Sequence, residues 1–177
     1  MYLFHITNHK YLKSILTDGM LKSSYLTGNL NQGDGIYKHN KFVFFSVIDD
    51  YESKQQIYGD VVLYFDYKML WNRTFFVSTY HSDTPVRLCK GEQDKKKYNQ
   101  YYKYTKRVLT KLFQYSISKS SKVFWVFQQV AIKNQCNLKN LKMIRFQQYK
   151  PTKVIVKLIK NKYPDVIIDF TQYNFKI

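Results

Sequence analysis

Apolar residues recur at three- and four-residue spacing in two segments of the chain, which is the period of an amphipathic helix. The first segment covers residues 8–18, and the second lies between Thr152 and Pro164. Each has residues that begin and end helices: Thr7 or Asn8 as N-cap and Gly19 as stop for the first, Thr152 as N-cap and Pro164 beyond the end for the second. The pattern therefore predicts two capped amphipathic helices.

Other runs are rich in aromatic and β-branched residues, a composition that favours strands. They cover residues 2–6, 42–47, 61–66, 73–79, 122–132 and 165–170. Strands and helices follow one another in mixed order without an internal repeat, which is typical of an α+β fold with a largely antiparallel sheet. No linker-like composition interrupts the chain, so we expect a single domain over residues 1–177.

Three segments carry weaker patterns. Residues 22–41 combine glycines with polar residues and are predicted to be a loop. From Tyr101 onward the apolar spacing becomes helical. In "NLKNLKMIRF", the spacing of Leu138, Leu141 and Ile144 indicates a helix or a turn.

The composition favours a packed, intracellular protein. Of the 177 residues, 45% are hydrophobic and 18% aromatic, enough for one sizeable core. Neither a long apolar run nor a signal-like N-terminus is visible, so we expect an intracellular protein without membrane insertion. Cys89 and Cys136 stand outside any metal-ligand spacing and are expected to be reduced, structural thiols.

The charge balance points to a polyanionic partner. Lys and Arg number 29 against 12 Asp and Glu, a net charge of +17. Such an excess favours nucleic acid through counterion release, with an anionic membrane as the second choice. The Lys-, Asn- and Tyr-rich composition is also what AT-rich viral or bacterial coding DNA produces without any binding role, and this alternative stays open.

One segment concentrates cations and tyrosines and is a candidate nucleic-acid surface, DNA or RNA. Its basic residues are Lys95, Lys96, Lys97, Lys103, Lys106 and Arg107, with four tyrosines between them. Lysines contact phosphates and tyrosines stack on unpaired bases. A solvated basic loop whose tyrosines pack on the core explains the same pattern.

The first predicted strand carries a histidine in "FHIT", and we consider three possible roles for this histidine. A two-histidine phosphoesterase needs a second His-x-Thr element, yet "HKY", "HNK" and "HSD" lack the hydroxyl residue. His5 and His9 have the spacing of zinc ligands on a helix, but no acidic or thiol ligand stands near them, so we expect no metal site. A half-buried structural histidine is the remaining alternative.

Three segments together resemble a known family. They are "YLFHITNHKYLKSILTDGML", then "GDGIY" with "FVFFSVIDDYESKQ", and finally "VFWVFQQVAIKNQCNLKNLKMI". This order over residues 2–146 resembles ADP-ribosyltransferase-like domains, nearest in pattern to DarT-type DNA ADP-ribosyltransferases. The resemblance implies a split, mostly antiparallel sheet with flanking helices, NAD as the cofactor, and nucleic acid as a partner.

The resemblance also implies site residues. His5 would bind a ribose hydroxyl of NAD with Thr7 beside it, and Phe44 and Ser46 would stand at the centre of the second motif. A catalytic glutamate is expected on the late strand, where this chain has Gln128 and Gln129. Strand alternation allows one of them to face the cleft, and we favour Gln129.

A glutamine accepts a hydrogen bond but lacks the negative charge that stabilises a ribosyl cation. We therefore expect a catalytically degenerate or atypical ADP-ribosyltransferase-like protein that binds nucleic acid or a nucleotide, with His5 and Gln129 at the catalytic positions. Two alternatives stay open. One is an active NAD-dependent ADP-ribosyltransferase on nucleic acid, and the other is an RNA phosphotransferase or phosphoesterase that uses His5.

Overall fold

The computed structural model describes residues 2–28, 39–48, 59–71, 73–78, 102–104, 129–147 and 149–170. In chain order the helices and strands are β1 (Tyr2–Thr7), α1 (His9–Asp18), β2 (Met20–Lys22), α2 (Ser24–Thr27), β3 (Phe42–Ile48), β4 (Val61–Asp66), β5 (Phe75–Ser78), β6 (Tyr102–Tyr104), β7 (Gln129–Lys133), β8 (Gln135–Asn137), β9 (Leu141–Phe146), α3 (Lys153–Lys162) and β10 (Ile167–Asp169). Short 3-10 turns cover His39–Lys41 and Tyr67–Leu70. The fold is α+β with mostly antiparallel strands, as predicted.

The chain divides into two compact units. The first contains Met1–Leu21, Ile48–Tyr67 and Asn137–Ile177, and the second contains Lys22–Val47 and Lys68–Cys136. The expectation of a single domain over residues 1–177 stays a prediction.

In the first unit the strand order is β10-β9-β4-β1. β1 and β9 each pair with β4 antiparallel, whereas β10 pairs with β9 in parallel. β4 is the centre of this unit, because its residues from Val61 to Phe65 have no measurable solvent exposure. A strand that is buried on both faces has a continuous run of apolar residues in its sequence, and "VVLYF" is such a run.

The two predicted helices are present in the first unit and have the predicted caps. The Asn8 side chain accepts a hydrogen bond from the Lys10 N–H, so Asn8 is the N-cap of α1. Gly19 follows α1 in the left-handed region with φ of 68°, where glycine has no steric penalty. Thr152 caps α3 by accepting from the Ile155 N–H. The Tyr163 hydroxyl donates to the Leu16 carbonyl, which ties the end of α3 to α1.

The second unit has the strand order β3-β7-β5-β6, and each pair of neighbouring strands is antiparallel. Val43 and Phe45 of β3 are buried, together with Val130 and Ile132 of β7 and Phe75 of β5. These residues lie on one face of the strands by alternation, so that face forms the core of the unit.

A tight turn joins β7 to β8 in the same unit. Asn134 has φ of 64°, a conformation that asparagine tolerates better than most residues. Its N–H donates to the Lys41 carbonyl, and its own carbonyl accepts from the Ser23 N–H. The turn thereby fixes the start of α2 and the approach to β3.

Three predictions about local structure are wrong in whole or in part. In the segment predicted to be a helix or a turn, residues 138–140 form a turn, in which the Leu141 N–H donates to the Leu138 carbonyl. Residues 141–146 form β9 instead, and from Met143 onward this strand is buried on both faces, so it lacks the alternation expected of a strand. The predicted loop over 22–41 contains α2 and the His39–Lys41 turn. The helix predicted from Tyr101 begins instead as β6, whose backbone groups pair with β5.

Parts of two other predictions lie outside the described residues. These parts are residues 122–128 of the strand predicted over 122–132, and the helical pattern beyond residue 104. The described part, β7, is a strand as predicted.

Candidate functional site

The end of β1 carries the first group of candidate residues. His5 and Thr7 are half-buried and pair in register with Leu63 and Val61 of β4. Phe4 lies on the other face, where its ring contacts Tyr64 at a centroid distance of 6.1 Å. By strand alternation His5 and Thr7 therefore share the face that is turned away from the Phe4–Tyr64 cluster.

The turn after β1 is held by an acidic residue from the start of β4. Asp60 Oδ2 accepts the His9 backbone N–H at 3.2 Å and lies 2.7 Å from His9 Nδ1. The His9 ring stacks on Tyr149 with centroids 4.3 Å apart and an interplanar angle of 13°. The hydrogen bond from the His9 side chain is the main cause that holds the pKa of Asp60 below its usual value. Asp60 thus anchors α1 immediately after Thr7.

A row of polar residues crosses three strands of the second unit. Gln129 of β7 is the register partner of Ser46 on β3 and of Ser78 on β5. Residues at one register position on neighbouring strands lie side by side on the same face of the sheet. This row of Ser46, Gln129 and Ser78, called the polar row below, brings together two residues that the sequence predicted as parts of one site.

Aromatic residues lie two positions before the serines of the polar row on β3 and β5. Phe44 and Phe76 are the register partners of Ala131 from its two sides. The Phe42 ring lies 6.2 Å from Phe44 and 5.3 Å from Phe76 between centroids, the latter edge to face at 79°. All three phenylalanines are half-buried, in contrast to Val43 and Phe45 on the core face. By strand alternation Ser46 therefore lies on the side of β3 that carries Phe42 and Phe44, and not on the core side with Val43 and Phe45.

Sequence reasoning missed Ser78. A signal was present, because Phe76–Val77–Ser78 repeats the aromatic-x-Ser order of Phe44–Phe45–Ser46. Only strand pairing shows that both orders flank Gln129 at the same register.

His5 and Thr7 belong to the first unit, whereas Phe44, Ser46 and Gln129 belong to the second. That His5 and Gln129 share one cleft stays a prediction. In the basic segment, Lys103 lies in β6 as the register partner of Phe76. Lys95, Lys96, Lys97, Lys106 and Arg107 lie outside the described residues.

Cys136 is a buried thiol outside any disulfide, in agreement with a structural role. Burial raises the pKa of this thiol, and the nearby Arg73 guanidinium, whose Nη1 donates to Sγ at 3.1 Å, opposes the rise only in part. A thiol with a raised pKa is a poor nucleophile at neutral pH. Cys89 lies outside the described residues.

Two further properties of the described part of the chain concern metals and membranes. No group of three or more His, Cys, Asp or Glu side chains there could hold a metal ion. Among the described helices, none is long and apolar enough to cross a membrane.

Solved structures with the same architecture exist, although neither a family model nor a curated protein matches the sequence. The DarT of Thermus sp. 2.9 in complex with carba-NAD+ aligns over 98% of this chain and 97% of its own length, with a TM-score of 0.50 and 12% identity. The same DarT in complex with ADP-ribosylated ssDNA aligns over 97% and 94%, with a TM-score of 0.54 and 12% identity. The chain has a DarT-like fold.

A third structure, Thermosipho africanus DarTG in complex with ADP-ribose, aligns over 97% of this chain and 50% of its own, with a TM-score of 0.49 and 10% identity. The DarT-like fold spans almost the whole of both chains in the Thermus comparisons, which agrees with the order of motifs noted in the sequence. At this level of identity the likeness concerns the fold, and function must be argued from the residues.

Proposed function

We propose that this chain is an ADP-ribosyltransferase-like protein that binds NAD or a related nucleotide, acts on or binds nucleic acid, and is catalytically degenerate or atypical. The observation that carries the proposal is the polar row, in which a glutamine takes a position between two serines on adjacent strands of a DarT-like fold. In this proposal NAD lies against the polar row and the neighbouring phenylalanines Phe44 and Phe76.

Each member of the proposed site has a chemical role. His5 binds a ribose hydroxyl and Thr7 supplies a second polar contact at the end of β1. Ser46, Ser78 and Gln129 offer hydroxyl and amide groups, which orient a nucleotide through hydrogen bonds. None of the three carries the negative charge that would stabilise a ribosyl cation, so binding is retained and transfer is slow.

The nucleic-acid part of the proposal rests on charge. A net charge of +17 on 177 residues favours polyanions, and the basic segment at 95–107 adds tyrosines able to stack on bases. The DarT of Thermus sp. 2.9 has been captured with ADP-ribosylated ssDNA, so single-stranded DNA is the first target to test.

The decisive experiment compares NAD binding with ADP-ribosyl transfer in the native protein and in Gln129→Glu. Calorimetry with NAD should give binding by the native protein, and labelled NAD with ssDNA, RNA or protein should give little transfer. Gln129→Glu should raise transfer by about 10²-fold, since it returns the charge that such sites use. The gain requires correct geometry, because a misplacement of about 1 Å can cost roughly 10²-fold.

Three variants complete the test. His5→Ala should abolish nucleotide binding while the protein stays folded, and Ser46→Ala should weaken it. Ser14→Ala, an exposed serine on α1, is the matched control and should change neither.

Strong NAD-dependent labelling by the native protein would rule out degeneracy and assign catalysis to another carboxylate, such as Glu52 or Glu92. If neither the native protein nor Gln129→Glu binds NAD, the chain keeps only the fold and acts as a nucleic-acid or nucleotide-binding module.

A further inference from the structure

The solvent-facing side of α3 carries a row of lysines. Ile155 and Ile159 are the buried residues of this helix, and Lys153, Lys157 and Lys160 are exposed. Positions at i, i+4 and i+7 lie on one side of a helix. The three lysines therefore lie opposite the buried isoleucines. These three residues are called the α3 lysine row.

No lysine of the row has an acidic partner within its own helix. α3 contains no acidic residue, so no lysine in it has an i,i+4 partner of opposite charge. Like charges at this spacing destabilise a helix. Lys153 lies in the first turn, where the helix dipole disfavours a cation, and Lys160 lies in the last turn, where the dipole favours one. The charges of the row are therefore not balanced by acidic residues of α3.

Residues outside the lysine row attach α3 to the first unit. Lys162 donates to the Thr17 carbonyl and Tyr163 to the Leu16 carbonyl, while Thr152 caps the N-terminus. Lys153 to Lys160 spans about 10 Å of helix axis at 1.5 Å per residue. The row thus lies on a capped and anchored helix, so little backbone conformational entropy is lost when a ligand binds, and the cost is confined to the lysine side chains.

We propose that the α3 lysine row binds the phosphodiester backbone of nucleic acid without regard to base sequence. The proposal rests on the nucleic-acid part of the proposed function and adds a contact surface outside the segment at 95–107. Backbone contacts by lysine position a nucleic acid but carry no sequence information. An anionic membrane fits less well, because interfacial helices bury large apolar residues, and the exposed apolar residue of α3 is the small Val154.

The test measures binding of fluorescent DNA, as a duplex of about 20 base pairs and as the single strand, across a salt series. Lys153→Gln, Lys157→Gln and Lys160→Gln are combined in one variant. We expect affinity to fall about tenfold or more for every sequence, and the slope of log K against log salt to fall by about 2–3, near 0.9 per lost phosphate contact on duplex DNA.

Matched variants separate local from global charge effects. Lys133→Gln, Lys139→Gln and Lys142→Gln remove three exposed lysines elsewhere and should lower the slope far less. Changing the α3 lysines to arginine should preserve both affinity and slope. Thermal unfolding of the α3 glutamine variant should occur at or slightly above the native temperature, since like-charge repulsion is relieved.

Equal losses in the α3 and control variants would overturn the proposal, because the effect would then come from net charge alone. Binding of DNA with no change in the α3 variant would overturn it while leaving the nucleic-acid function intact. Failure of the native protein to bind either DNA would overturn both. Binding that depends on the row only with phosphatidylserine vesicles would reassign it to membranes.

Discussion

At the scale of single residues, the contact between His9 and Asp60 is the most informative feature of the first unit. One carboxylate oxygen serves both the backbone N–H and the ring of His9, and the ring is stacked on Tyr149. The residues come from three distant parts of the chain, so the contact fixes the start of α1 against β4. Because α1 begins two residues after Thr7, this contact also supports the end of β1, where His5 and Thr7 lie.

Asp60→Asn should lower stability in a manner that depends on pH. Because the hydrogen bond from His9 lowers the pKa of folded Asp60, folding favours its carboxylate form. This contribution is present above the unfolded pKa of about 4 and is lost as pH falls through the lower folded pKa. The variant should lose less than about 1 kcal/mol at pH 7, because water screens a contact whose His9 side chain is 46% exposed, and its deficit should shrink below pH about 4.

Thermal unfolding followed at a series of pH values measures this deficit. Asp165→Asn is the matched control, since Asp165 is exposed and should show no deficit at any pH. A deficit for Asp60→Asn that stays constant down to the lowest pH would show that the carboxylate charge is not what matters.

At the scale of elements, β10 illustrates how a short strand is held. It has three residues, Ile167 is 50% exposed, and hydrophobic burial alone therefore contributes little. Asp169 accepts from Arg145 Nε at 2.6 Å, and the Arg145 Nη1 donates to the Tyr64 hydroxyl at 3.1 Å. Burial raises the pKa of Tyr64, so this residue remains a neutral phenol beside the ion pair. The cluster ties β10 to β9 and β4.

Asp169→Asn should destabilise the first unit by about 3 kcal/mol, because it leaves the buried Arg145 guanidinium without its carboxylate. Asp165→Asn, in the turn before β10, is again the control and should cost less than about 0.5 kcal/mol. Chemical denaturation measures both changes. Amide hydrogen exchange in β10 should accelerate in the first variant, and equal stability of the two variants would contradict the role given to the ion pair.

At the scale of the whole molecule, charge dominates the expected behaviour. The excess of 29 basic over 12 acidic residues makes any nucleic-acid binding sensitive to salt. Changing Lys95, Lys96 and Lys97 together to glutamine should weaken binding for all sequences alike and lower the salt slope by about 3.

A gel-shift titration at several salt concentrations tests this expectation. Its natural comparison is the Lys133, Lys139 and Lys142 variant, which removes the same charge. Unchanged affinity and slope would show that the run at 95–97 is a solvated surface without phosphate contacts.

The chain has a DarT-like fold although its sequence is only 12% identical to that of the Thermus sp. 2.9 DarT. A fold tolerates wide substitution when apolar volume and patterning are kept, because backbone pairing defines its topology. Val61 to Phe65 in the centre of the first unit satisfies this requirement with five consecutive buried residues.

Elements whose signals are local could be predicted from the amino-acid sequence alone. Thr7 or Asn8 with Gly19 predicted the bounds of α1, and Thr152 with Pro164 predicted those of α3, because capping acts within a few residues of the chain. The aromatic and β-branched runs marked most strands, and their mixed order indicated the α+β class. The positions of His5 and Ser46 on strands could be inferred in the same way.

Features that depend on pairing between distant segments of the chain became visible only in the folded structure. Residues 141–146 became β9 because β4 and β10 supply partners on both sides, which overrides their local spacing. The polar row arose from the register of β3, β7 and β5, and it added Ser78, which no motif contained. Register is a property of two strands at once, and the pairing of Asp60 with His9 likewise joins residues 51 positions apart. Neither the strand register nor the Asp60–His9 contact can be predicted from one local stretch of sequence.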